Sequence, residues 1–365
     1  MCDPWAAAPE PASKGCGMAQ IIEESLETAR RALSKHAWEQ ALEAFQEADK
    51  GTGLVAVDLE RMAEAAWWTG KPDLRIDGLE RAYAAYLQEG SKGSAAMVAG
   101  QLAEYAFQRM APSVAMAWVG RAETLIEGEP MSAVHGALMT FQAFQAIALQ
   151  GDLDRGYALA EQGYALGKQF GNRDVEAMGL SLMGRALIKK GEIAKGFALL
   201  DQSTLAAVGG ELGASTAGNV YCSTIDACRD LVDWRRAAEW TEEADRFLRR
   251  EHITGSYPGV CRIHRAEIMR LRGSWPEAET EARQACRDLE SLRMLIILGF
   301  AHYEVGELRK LQGDYEGADA AFRTALEFGR APEPGMSMLR LGCGDSTVPR
   351  RRSIAPSPRR QSQSS

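Results

Sequence analysis

A motif recurs along this chain every forty or so residues, and it restricts the fold to an array of stacked helical units. Near the C-terminal end it reads Gly313-Asp314-Tyr315-Glu316-Gly317-Ala318, followed by Phe322 and Ala325. A small residue, a bulky one four positions later and alanine three after that lie on one helical face. The preceding glycine ends one helix and lets the chain turn into the next. The same register places Ala278 before Ala282 and Ala285, and Ala237 before Thr241 and Ala244. Weaker copies have Gly196 with Leu200 and Ser203, Gly156 with Ala160 and Gly163, and Ala115 with Val119 and Ala122. The first two are Arg75 with Leu79 and Ala82, and Ala41 with Phe45 and Ala48. The anchors at 41, 75, 115, 156, 196, 237, 278 and 318 stand 34, 40, 41, 40, 41, 41 and 40 residues apart.

Another helical stretch precedes each anchor, so each unit is predicted to be a pair of helices. A small anchor lets the two helices approach closely, and the bulky neighbour fills the gap to the next unit. One hairpin cannot bury its apolar face, but a stack of eight can. The composition, 46% hydrophobic and 25% charged, suits such a body. No apolar run approaches the roughly 18 residues of a membrane helix, and residues 1–20 lack a secretory pattern. Seven cysteines without a CxxC pair argue against a disulfide framework and for a reducing, cytoplasmic setting.

The pattern resembles the tetratricopeptide repeat. Gly306, Gly313, Tyr315, Ala318, Phe322 and Ala325 fall on that family's signature positions, while Arg330 stands where the signature proline belongs. The resemblance covers roughly residues 20–330 and implies an all-α, right-handed superhelix of about eight helical hairpins. Most units exceed the family's length of about 34 residues. Runs such as CRIHRAEIMRLRGSWPEAETEA look like the helical-repeat arm of bacterial LuxR-type transcription regulators, which serves there as a sensory or protein-contact region. The flanking modules of those regulators are not recognisable, since the sequence shows neither GxxxxGK[ST] nor a helix-turn-helix. The chain divides into a flexible segment over 1–19, a repeat domain over 20–340 and a disordered Ser/Pro/Arg-rich tail over 341–365. That tail reads either as natural or as the mark of a truncated or frame-shifted gene.

Signals for chemistry are sparse. Cys222, Cys228, Cys261 and His264 are the one ligand-like cluster, but Cys222 and Cys228 are six apart and would diverge on a helix. Cys261 and His264, three apart, can converge; buried cysteine is nonetheless the simpler reading. With five histidines and no GxSxG or HExxH motif, neither an enzyme nor a metal or cofactor site is expected. Trp67, Trp68, Trp118, Trp234, Trp240 and Trp275 read as packing at repeat seams.

The tetratricopeptide resemblance also implies that the first helix of each pair lines the concave side. Eleven residues before each anchor stand Arg30, Glu64, Glu104, Gln145, Arg185, Asp226, Glu267 and Glu307, five of them acids. Four positions earlier, on the same face, come Phe141 and Tyr303. This describes an acidic groove with aromatic patches, suited to a basic or mixed peptide. The competing reading is local pairing of Glu267 with Arg270 and of Glu307 with Lys310.

The function expected is a non-enzymatic scaffold that binds protein or peptide, as a regulatory module. The alternative is a small-molecule sensor arm of a truncated LuxR-type regulator. A deep pocket would favour the sensor and an open groove the scaffold. Six arginines against Asp345 give residues 340–365 a charge of +5, leaving −13 on the rest. An acidic body with a short basic tail is not expected to bind nucleic acid specifically.

Overall fold

The computed structural model describes residues 14–51, 53–253 and 256–343. Among them are seventeen α-helices and no strand. Sixteen helices pair into eight hairpins. These are α1 (Lys14–Leu33) with α2 (Trp38–Asp49), α3 (Ala56–Trp68) with α4 (Pro72–Gln88), α5 (Lys92–Gln108) with α6 (Pro112–Ile126), and α7 (Ala133–Gln145) with α8 (Leu153–Gln169). Then follow α9 (Arg173–Lys189) with α10 (Ile193–Val208), α11 (Ala214–Asp230) with α12 (Trp234–Arg250), α13 (Ser256–Leu271) with α14 (Trp275–Ser291), and α15 (Leu295–Gln312) with α16 (Tyr315–Glu327). The seventeenth helix, α17 (Gly335–Gly342), covers the last hairpin. The chain is a right-handed superhelix of these hairpins, and no described helix is long and apolar enough to cross a membrane.

Every anchor is the fourth residue of the second helix of its hairpin. The positions four and seven residues later are buried in all eight units, from Phe45 and Ala48 to Phe322 and Ala325. Seven anchors are small and buried, while Arg75 is a half-buried arginine. In the second hairpin Gly78 takes over the close approach, with the Leu59 carbonyl 3.2 Å from where its Cβ would stand.

The turn inside each hairpin is equally regular. Five residues before each anchor the backbone enters the left-handed region, at Gly70, Gly151, Gly191, Gly273 and Gly313, and also at His36, Met110 and Val232. Side chains of Asp152, Asp233 and Asp314 then accept a hydrogen bond from the backbone N–H three residues on, closing the first turn of α8, α12 and α16. Val232 is the costliest of the eight turn residues, being β-branched at φ +62° with its side chain exposed. Val232→Gly should therefore raise stability by about 1 kcal/mol. A urea midpoint that stays put or falls would contradict this.

Helix α1 begins at Lys14, inside the segment 1–19 read as flexible, and α17 runs to Gly342, just inside the segment read as tail. The remainder of both segments lies outside the described residues.

The superhelix closes on itself. The Trp38 indole N–H donates to the Glu251 carbonyl at 2.7 Å, and His36 meets the Glu251 carboxylate. The Tyr105 hydroxyl donates to the Leu292 carbonyl at 3.3 Å, and Arg293 pairs with Asp73 at 2.8 Å. Trp38 and Trp68 share one core with Ala217, Tyr221, Ile225 and Phe247. The first three hairpins thus pack against the last three, and the concave face becomes a central interior with an open mouth.

Candidate binding cavity

The central interior holds a cavity of about 180 Å³. One wall comes from the second and third hairpins: Trp67, Arg75, Glu104, Tyr105 and Gln108. The sixth hairpin supplies Ser215, Asn219, Cys222, Asp226 and Arg229 from α11. The last two contribute Val260, Ile263 and His264 from α13, and Met294, Ile297 and Phe300 at the start of α15. First helices provide nearly all of this surface, because the second helices stack outside them. The exception is Arg75 on α4, whose guanidinium lies 4.3 Å from the centre of the Trp67 ring. A small residue at that anchor would leave the spot empty. The arginine instead extends from the hairpin contact into the interior and stacks there.

Two pairs of acids surround the two arginines. Arg229 donates to Asp226 at 2.8 Å and meets the Glu267 carboxylate. Arg229 holds Asp226 below its ordinary range against the opposing effect of burial. Burial pushes Glu104 and Glu64 above the usual carboxylate range, with Arg75 countering both. Glu104 is nonetheless exposed, and its accessible surface is part of the cavity wall beside Arg75 and Tyr105. His264 is 4% exposed, and burial with Arg229 nearby lowers its pKa to about 4, leaving a neutral imidazole.

Of the residues singled out from sequence, Glu104 and Asp226 line the cavity. Glu64 stands beside Arg75 without lining it. Glu267 is buried between Arg229 and Arg270, and Glu307 pairs with Lys310 at 2.9 Å. Both belong to a ladder of ion pairs that continues through Arg270 and Glu304, 2.6 Å apart. Tyr303 is covered by α17: its hydroxyl accepts from the Gly335 N–H at 3.2 Å, and Arg330 lies over its ring. Arg185 pairs with Asp230 at 3.1 Å. Phe141 and Gln145 are half-buried on α7, in a hairpin that does not reach the cavity. At the first hairpin Arg30 grips the fully buried Asp58 at 3.1 and 2.5 Å.

Cys228 points into a different core from Cys222, as its spacing implies, while Cys222 and His264 share the cavity wall. Among the described residues no group of three or more potential ligands is arranged to hold a metal ion. Trp67 departs from the packing role read from sequence, since it forms cavity wall while Trp68 is core. The signal that could have found the site was the single arginine among otherwise small anchors.

No family model and no curated protein matches the chain. Solved structures do. The Rap protein in complex with competence and sporulation factor superposes with a TM-score of 0.56 at 11% identity, over 89% of this chain and 91% of that one. The fold is tetratricopeptide-like. A looser likeness, with a TM-score of 0.43 at 12% identity, is to a signal-transduction ATPase with a tetratricopeptide-repeat sensor from Pyrococcus horikoshii. It spans 90% of this chain but 49% of that protein.

Proposed function

We propose that this chain is a non-enzymatic binding scaffold of a regulatory kind, which takes a protein or peptide partner and seats one compact group of it in the central cavity. The observation that carries this reading is convergence. Side chains from five of the eight hairpins meet at one concave, mixed polar and apolar volume. The Rap protein supports it, since a fold of this shape was solved with a bound factor. The cavity chemistry suits binding better than catalysis. Burial raises the Cys222 thiol well above its ordinary value, the reverse of what a nucleophile needs. His264 lacks a partner that would orient it as a base.

A small-molecule effector is the second reading, favoured by the cavity's small volume, and it fits the sequence resemblance to the sensory arm of LuxR-type regulators. Either reading places the occupant in one volume. Ser215 lines that volume and is exposed to it, so Ser215→Trp should fill it without disturbing a helix core. Short peptides selected from a random library on the 365-residue chain should lose affinity for this variant by about tenfold or more. Undiminished binding by a variant with an unchanged circular-dichroism melt would place the binding surface elsewhere.

A further inference from the structure

The geometry points to a compact organic cation as the occupant of the cavity, an ammonium or guanidinium group on a short apolar body, with Glu104 as its counter-ion. The inference rests on the cavity being the binding site and adds the chemistry of what fills it.

Three hydrogen-bond acceptors on the cavity wall lack a donor. Among the described residues none gives the Glu104 carboxylate a hydrogen bond or an ion pair, and its compensation is the field of Arg75. One turn further along α5, on the same face, the buried Gln108 Oε1 has no donor. Across the cavity, His264 is 4% exposed with neither ring nitrogen hydrogen-bonded. Its neutral ring offers one lone pair to a donor and one N–H to an acceptor. Buried polar groups in folded proteins are nearly always paired, so the unfilled Gln108 oxygen and His264 ring, with the unpaired Glu104 carboxylate beside them, describe a site that accepts N–H donors.

Charge selects a cation over an anion. Both guanidiniums at the cavity are already engaged: Arg229 lies between Asp226 and Glu267, and Arg75 is stacked on Trp67. The cavity wall itself carries two arginines and two acids, and of these four Glu104 alone has no hydrogen bond, ion pair or ring contact of its own. An anion would have to displace a carboxylate, whereas a cation needs to displace only water. The rest of the wall, with Trp67, Tyr105, Ile263, Ile297 and Phe300, matches a short apolar stem. A volume of about 180 Å³ holds several waters or one such group, but no folded segment.

Calorimetric titration of the 365-residue chain with n-butylguanidinium, n-butylammonium, n-butylurea and butanoate tests this with matched apolar bodies. The two cations should bind about tenfold or more tightly than the urea or the carboxylate. Glu104→Gln should remove that preference while keeping the wild-type melting profile, because it deletes the charge of an exposed side chain and no packed group. Capped arginine and capped citrulline residues form a second arm. If capped arginine binds and butylguanidinium does not, the cation is carried by a peptide; the reverse assigns it to a free small molecule. Equal or tighter binding of butylurea or butanoate, abolished by Ser215→Trp, would overturn the cation and leave the cavity as binding site. Cation binding unaffected by Glu104→Gln would overturn the role of that residue and the inference with it. A chain that binds library peptides through the cavity but rejects every cation sinks this inference alone; failure in both experiments sinks the cavity reading as well.

Discussion

Replacing Gly196 with leucine should cost about 3 kcal/mol or more of folding stability, at the upper end of what overpacking does. Gly196 is the anchor of the fifth hairpin, where α9 and α10 cross. A Cβ there would stand 2.7 Å from the Gly184 carbonyl oxygen and 2.6 Å from Ile188 Cγ1. The carbonyl is backbone inside a helix, so it cannot yield without separating the two helices. Gly120 on α6 is the matched control, because nothing lies within 4 Å of where its Cβ would be. Gly120→Ala should stabilise by about 0.5–1 kcal/mol through helix propensity alone. Urea denaturation of the two variants separates the cases. A Gly196→Leu midpoint equal to wild type would mean that the anchor is not where the helices meet.

The second large effect concerns the charge ladder beneath the last three hairpins. Arg270 is 14% exposed and reaches Glu304 at 2.6 Å, Glu267 at 3.8 Å and Glu307 at 4.0 Å. Arg270→Met keeps most of the volume and leaves those acids without their shared cation, which should cost about 3–5 kcal/mol near neutral pH. The loss should depend on pH in a set direction. Burial raises Glu304 from an ordinary 4.5 to about 7 even with Arg270 present. The native state therefore holds that proton more tightly than the unfolded chain does. The resulting stability is fully present below about pH 4.5 and is lost as pH rises towards 7. Without Arg270 the Glu304 carboxyl moves higher still, so the variant should recover part of its deficit at pH 5.5 and show its full deficit at pH 8. A gap between variant and wild type that stays constant, or widens in acid, would show that Glu304 does not carry the effect.

The repeat was legible because it is written locally. Each hairpin needs a turn residue, a small anchor and two further buried positions, all within thirteen residues, and Gly313 to Ala325 displays them in one line. The helices carrying the site were legible for the same reason: Glu104 and Asp226 stand on first helices and do line the interior. What periodicity could not supply is closure. The Trp38–Glu251 and Tyr105–Leu292 hydrogen bonds join residues 213 and 187 apart, and no nearest-neighbour pattern encodes them. Trp67 consequently looks like a seam aromatic in the sequence, and it becomes cavity wall, with Tyr105, only because α11, α13 and α15 arrive opposite. The stripe failed where local partners intervened: Lys310 claims Glu307, and Arg229 claims Glu267. Arg75 carried the information in plain view, as the anchor too large for its position.

The fourth and fifth hairpins touch neither wall of the cavity, yet they span the distance between the walls. They therefore act as the back of a clasp. A change in the angle between α7 and α9 would be carried through the remaining hairpins to the far side, where it would displace one jaw relative to the other. The backbone departs from regular α-helix in this stretch. Residues Ala146–Gln150 form a π-helical turn between α7 and α8, with an extra residue in each hydrogen-bonded loop. An engineered change in the length of that turn would alter how α8 leaves α7 without altering any residue that lines the cavity.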